Sequence, residues 1–264
     1  MFFHSSIEPI YFILPILGFI IGLFGTMLGG GGGFFFLPIL TLLIGVPMQT
    51  AVVTSLVATL PICLVGAVGH YRKGNIDSHI GALFAVAGIL GAFVGAGITS
   101  RISAEQLKGS FGIYSMLIAL NMVYSTWRKK DIDENKTTSQ NAGLITKVKG
   151  SFYGLVAGII TGTFGTSGTA PVLAGLFTMN ISLKLVIGTS LMVVLANTIF
   201  AVGAHLLVDQ IDLTLVYFLT VGSIIGALIG PKIISKSRIG NSENNVRYIY
   251  AIVMVAIGVL MIVR

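Results

Sequence analysis

Apolar residues fill this chain in long uncharged runs. No Asp, Glu, Lys or Arg occurs from Pro9 to Tyr71, and further uncharged runs cover Ser78–Ser100, Gly109–Trp127, Gly150–Leu183, Leu185–Val208, Leu213–Pro231 and Tyr248–Val263. A helix that spans a bilayer needs about 20 consecutive apolar residues. Most of these runs fit one such helix, and Pro9–Tyr71 and Gly150–Leu183 hold more than one. Division at Gly, Pro and polar clusters gives ten apolar segments, in rough bounds 9–28, 34–46, 49–70, 78–100, 109–127, 149–164, 169–181, 183–208, 213–234 and 246–263. The pattern predicts an all-α polytopic membrane protein. Segments 34–46 and 169–181 are too short to span, because at 1.5 Å per residue they reach about 20 Å against a hydrocarbon core of about 30 Å. Each follows a glycine-rich break, Gly29 to Gly33 before the first and Gly162, Gly165 and Gly168 before the second. Both are expected to be broken or re-entrant helices. The stretch from Met1 to Ile10 has no Lys or Arg, and no A-x-A-like cleavage site follows the first apolar run, so it reads as a retained helix rather than a signal peptide.

Composition sharpens this picture. The 264 residues are 55% hydrophobic and only 9% charged, where a soluble domain carries about 25% charged residues. A water-soluble enzyme, a nucleic-acid binder and a disordered scaffold are excluded on that ground. The net charge of +7 reflects basic loops on one side of a membrane. When the chain crosses after every segment, all Lys and Arg except Arg101, Lys108 and Arg264 fall on one side, which also receives the polar linker 128–148. The positive-inside rule makes that side cytoplasmic and puts both termini outside a plasma membrane. Cys63 is the one cysteine; it forms no internal disulfide and reads as a small core residue. No zinc or iron–sulfur site and no cofactor is expected.

The chain also repeats itself. Thr54-Ser55-Leu56 recurs 135 positions later as Thr189-Ser190-Leu191, His70 as His205, Ile76-Asp77 as Ile211-Asp212, and Gly91-Ala92-x-x-Gly95 as Gly226-Ala227-x-x-Gly230. Two halves follow, 1–127 and 149–264, with five segments each. Five is odd, so the second half is expected to enter the membrane inverted. The loops agree, since His70-Tyr71-Arg72-Lys73 is basic and its counterpart His205-Leu206-Leu207-Val208-Asp209 carries no Lys or Arg. Inverted repeats with interrupted helices mark secondary transporters, with substrate near the midplane between the halves.

The glycine breaks supply the candidate chemistry. A helix broken at membrane depth leaves amide N–H groups that lipid cannot satisfy. With about half a positive charge at each helix start, they favour an anion. Glycine lets backbone approach the ligand. The candidate substrate-binding residues are Gly29, Gly30, Gly31, Gly32, Gly33 and Phe34 at the first break and Gly165, Thr166, Ser167, Gly168 and Thr169 at the second, with hydroxyls from Thr54, Ser55, Thr189 and Ser190. A run of five glycines weakens a helix by roughly 1 kcal/mol per residue, so packing alone is a poor reason for it. Gly91-x-x-x-Gly95 and Gly226-x-x-x-Gly230 instead suit close helix packing. His70, His205 and Arg72 are candidates for coupling or gating, although His70 and His205 also fit simple interfacial placement and Arg72 is first an orientation signal. Asn197, in mid-segment, is either a helix–helix hydrogen bond or a cavity residue. Met and Phe residues are taken as packing or lipid-facing.

Several of these motifs carry a family resemblance. Gly18-Phe19-x-x-Gly22-x-x-Gly25, Gly29–Gly33, Pro38, Gly45-Val46-Pro47, Ala51-x-x-Thr54-Ser55, Gly74-x-Ile76-Asp77 and Gly91-Ala92-x-x-Gly95 resemble the first half of the sulfite exporter TauE/SafE family. Gly154-x-x-x-Gly158-x-x-x-Gly162-x-x-Gly165, Pro171, Thr189-Ser190 and Gly226-Ala227-x-x-Gly230 resemble the second half. The resemblance implies a bacterial or archaeal inner-membrane carrier for sulfur-containing anions such as sulfite or organosulfonates. Here Gly165-Thr166-Ser167-Gly168-Thr169-Ala170 replaces that family's near-continuous second glycine run, which adds hydroxyls at that end.

The sequence therefore points to an alternating-access carrier in a lipid bilayer, with a small anionic substrate and no nucleic-acid partner. A coupling proton and a homo-oligomer stay open. An anion channel could use the same residues. A membrane-embedded enzyme would need clustered carboxylates or a nucleophile–base pair, and the nine acidic residues all fall between the uncharged runs. A purely structural subunit would bind no solute.

Overall fold

A computed structural model describes residues 2–27, 31–127, 144–179, 181–206, 210–234 and 242–263. Among them are ten α-helices: α1 (Leu14–Met27), α2 (Gly33–Pro38), α3 (Met48–Tyr71), α4 (Ser78–Thr99), α5 (Ala104–Trp127), α6 (Leu144–Phe164), α7 (Thr169–Phe177), α8 (Leu183–His205), α9 (Leu213–Ile234) and α10 (Ser242–Val263). A tight turn at Pro9–Ile13 leads into α1, and a wider helical turn at Ile39–Leu43 extends α2. Phe2–Phe3 pairs in parallel with Ile211–Asp212. The linker 128–148 and the glycines at 29 and 30 fall wholly or largely outside the described residues.

Among the described residues, five helices are long and apolar enough to cross a membrane: Pro9–Met27, Met48–Tyr71, Ser78–Thr99, Leu183–His205 and Leu213–Gly230. The all-α polytopic architecture expected from the uncharged runs is present, with short helices directly after both glycine breaks. These are shorter than the apolar runs that contain them. The first ends at Leu43, ahead of Gly45 with its φ of 79°, and the second ends at Phe177.

Glycines decide which helices meet. In α6, a Cβ added at Gly154, Gly158 or Gly162 would run into the carbonyls of Phe84, Gly88 or Ala92 in α4. In α1, a Cβ at Gly18 or Gly22 would run into those of Leu219 or Ser223 in α9. The two parallel pairs, α4 with α6 and α1 with α9, meet by the same kind of glycine-on-carbonyl contact. The Gly91/Gly95 and Gly226/Gly230 pairs belong to these seams, facing α6 and α1, so their packing role is as expected.

At the centre α3 and α8 cross in opposite directions, with Gly66 against Leu191 and Gly188 against the start of the His70 side chain. On the flank α5 and α10 also run antiparallel, with Gly112 against Gly258 and Ile262 and the Ser115 hydroxyl donating to the Met254 carbonyl at 2.6 Å. Each of these two pairs joins one helix from before the linker 128–148 to one from after it.

Candidate functional site at the two helix breaks

Both short helices start from a glycine in the left-handed region. Gly32 caps α2 with φ 75° and Gly168 caps α7 with φ 53°, and neither helix start is closed by a side-chain cap. Gly31 (φ 61°) and Gly165 (φ 63°) precede them in the same region. A residue with a Cβ is strained there, so the glycines let the chain reverse and re-enter a helix while leaving the first amides uncapped.

The two starts meet. A Cβ at Gly33 would lie 3.2 Å from the Ser167 amide nitrogen and 2.7 Å from the Thr59 hydroxyl. An aromatic cluster ties the same place together from both halves. Phe34, in the first turn of α2, lies 5.1 Å from Phe111, and Phe164, the last residue of α6, lies 5.8 Å from Phe111 and stacks on Tyr114 at 5.4 Å.

The hydroxyls divide into two groups. Ser55 donates to the Gly165 carbonyl at 2.7 Å and so ties α3 to the second break, while Thr59, one turn on, donates to the Ser55 carbonyl within α3 at 2.8 Å. Ser167 accepts from the Thr169 hydroxyl at 2.8 Å. The Thr166 hydroxyl is buried with no partner. Thr54 and Thr189, expected among the anion-binding hydroxyls, are engaged elsewhere: they accept the amide N–H groups of Asp212 (3.4 Å) and Asp77 (2.9 Å) ahead of α9 and α4. Ser190 is fully buried on α8 beside Thr189.

The other candidates lie around this centre. His205 bonds through Nε2 to the Gly162 carbonyl at 2.6 Å, at the end of α6 just before the second break. Its match His70 is buried and both ring nitrogens are without partners. Arg72 is exposed at the end of α3, away from the breaks. Asn197 is fully buried, packed on Gly88, and neither atom of its amide finds a partner. The helix–helix hydrogen bond considered for it is therefore not made.

Thr59, Phe111, Tyr114 and Phe164 join the site without having been singled out. The spacing of Ser55, Thr59 and Cys63 by four places them on one face of α3, and that signal could have found Thr59; Cys63 lies against Gly31 on the same face. Among the described residues no three of His, Cys, Asp and Glu come together as a metal site. The buried acid Asp212 faces the amides of Thr214 (3.0 Å) and Leu215 (3.4 Å) as the cap of α9. An open cavity of about 350 Å³, lined by Thr41–Gly45 and Lys108, lies at the far end of the α2 segment.

Residues 14–261 match the family model described as Sulfite exporter TauE/SafE. The chain belongs to this family. TauE/SafE membership makes it a multi-pass membrane transporter. The chain is 30% identical over 239 residues to the probable membrane transporter protein YdhB of Bacillus subtilis, covering 86% of this chain and 94% of that one. It is 26% identical over 251 residues to a probable membrane transporter protein of Xylella fastidiosa, covering 94% and 92%. A probable membrane transporter protein of Methanocaldococcus jannaschii, MJ0441, is 29% identical over 156 residues, covering 56% and 58%.

Proposed function

We propose that this TauE/SafE protein is a secondary carrier for small sulfur-containing anions, sulfite or an organosulfonate, held between the starts of α2 and α7 and released to each side in turn. The observation that carries the reading is the approach of the two helix starts, where a Cβ at Gly33 would lie 3.2 Å from the Ser167 amide nitrogen. Two uncapped starts bring amide N–H groups and partial positive charge to one place. Glycines keep side chains out of the way, and the buried acid nearby is committed to capping α9. An anion can thus shed water without a buried Lys or Arg.

The halves 1–127 and 149–264 are read as inverted repeats. The opposed directions of α3 and α8, and of α5 and α10, support this. Such repeats allow one half to rock against the other around a fixed site. The basic linker 128–148 is then cytoplasmic and both termini are outside the plasma membrane. A reporter active only in the cytoplasm should work when fused within the linker and fail when fused to Arg264.

Uptake of labelled sulfite, sulfate, thiosulfate and an organosulfonate into proteoliposomes, with and without a pH gradient, tests the function. Saturable, selective uptake of a sulfur oxyanion is expected. Unsaturable currents in a planar bilayer would replace the carrier by a channel, and no anion flux at all would remove the reading.

A further inference from the structure

Asn197 and Thr166 are buried polar side chains that the fold leaves without partners; Thr166 lies in the second break, and helix register puts Asn197 level with it. α4, α6 and α8 run parallel in step. Gly81 of α4 faces Thr189 and Met192 of α8, and Gly88 faces Asn197, while Gly158 of α6 abuts the Gly88 carbonyl. α7 runs back along α6, with Gly168 at the Ala157 carbonyl and the Thr161 hydroxyl and Gly175 at Tyr153. Asn197, Gly88, Gly158 and the cap of α7 therefore share one level. Val193, one turn before Asn197, belongs to the apolar cluster that contains Val172 of α7 and Ala157 of α6. The next turn of α8 climbs past Val172 towards the start of α7. The fully buried amide reaches the level where that helix opens.

An apolar residue of the same size would fill this place without leaving donors and acceptors unpaired, and a buried unpaired group in a native fold calls for a partner. The two halves differ at these positions. With the caps Gly32 and Gly168 superposed, Ser167 and Thr169 match Gly31 and Gly33, and in the register of the repeat Asn197 matches Ile62. Polar side chains stand in the second half where the first has glycine or isoleucine.

Resting on the anion reading above, we infer that the anion is held one-sidedly, its oxygens taking hydrogen bonds from the Asn197 amide Nδ2 and the Thr166 hydroxyl, while the first half contributes only bare backbone at Gly31 and Gly33. Asn197 is a ligand-binding residue on this account, with no counterpart in the first half.

The full chain, purified and in proteoliposomes, tests this with labelled sulfite and an alkylsulfonate. Asn197→Leu should melt at or above the native temperature, because an unpaired buried amide is removed, yet raise the KM for the transported anion about tenfold or more, the value of a hydrogen bond to a charged group. Thr166→Val should raise it less, and Ile62→Leu should leave it unchanged. Native KM in Asn197→Leu overturns the inference and leaves an ordered water or simple packing as the amide's role, while the anion reading stands. No binding or uptake by the native protein overturns both. Should Asn197→Leu fail to fold, Asn197→Ser and Thr166→Val decide by sulfite-induced thermal shift, and a full native shift in both overturns the inference.

Discussion

The Thr189 hydroxyl accepts the Asp77 amide N–H at 2.9 Å, and the matched residues of the other half, Thr54 and Asp212, make the same bond at 3.4 Å. Each bond joins a threonine of one half to the loop that opens a helix of the other. Asp77 in turn caps α4, accepting from the amides of His79 (3.1 Å) and Ile80 (3.0 Å). Two of the hydroxyls that the sequence offers as ligands for a solute thus serve as acceptors at the starts of α4 and α9.

Thr189→Val should therefore lower stability by about 1–3 kcal/mol, the cost of leaving a buried amide without an acceptor. Thr54→Val should cost less, because its bond is long. Melting in detergent checks both, and the order of the two midpoints is the decisive reading.

His205→Ala should lower the melting temperature more than His70→Ala. The first removes a 2.6 Å bond and leaves the Gly162 carbonyl only the longer 3.3 Å bond from the Thr99 hydroxyl among its side-chain partners, while the second removes a ring that has no hydrogen bond. Equal shifts would argue against the difference between the matched histidines.

Gly31→Leu and Gly33→Ala should abolish or sharply reduce uptake. Gly31 combines φ 61° with the Cys63 sulfur where a Cβ would stand, and a Cβ at Gly33 would press on Thr59 and the Ser167 amide. Native uptake by either variant would count against a solute site at the breaks.

Gly158→Val should prevent a stable fold, since the Gly88 carbonyl occupies its Cβ position, whereas Gly203→Ala on the exposed face of α8 has open space. The latter should stabilise by about 0.5–1 kcal/mol through helix propensity. Circular dichroism melting in detergent separates the two kinds of glycine.

Helix existence and the two breaks were legible in the sequence because charge exclusion and glycine clusters are local signals. Gly29–Gly33 and Gly165–Gly168 marked helix starts before any partner was known. Partner choice was not legible. The sequence does not say that Gly158 will sit on Gly88, or that Phe34 and Phe164 will share Phe111, because lipid-facing and protein-facing surfaces of membrane helices are equally apolar. The amide bonds of Thr54 and Thr189 were not legible for a related reason: a hydroxyl in an apolar run looks the same whether or not it accepts a distant amide.

The crossed pairing of α1 with α9 and α6 with α4 means that each half lends its opening helix to the other. Severed within 128–148, the chain would yield two fragments that each expose an orphan glycine seam, so neither would hold its shape alone and the pair would have to be made together.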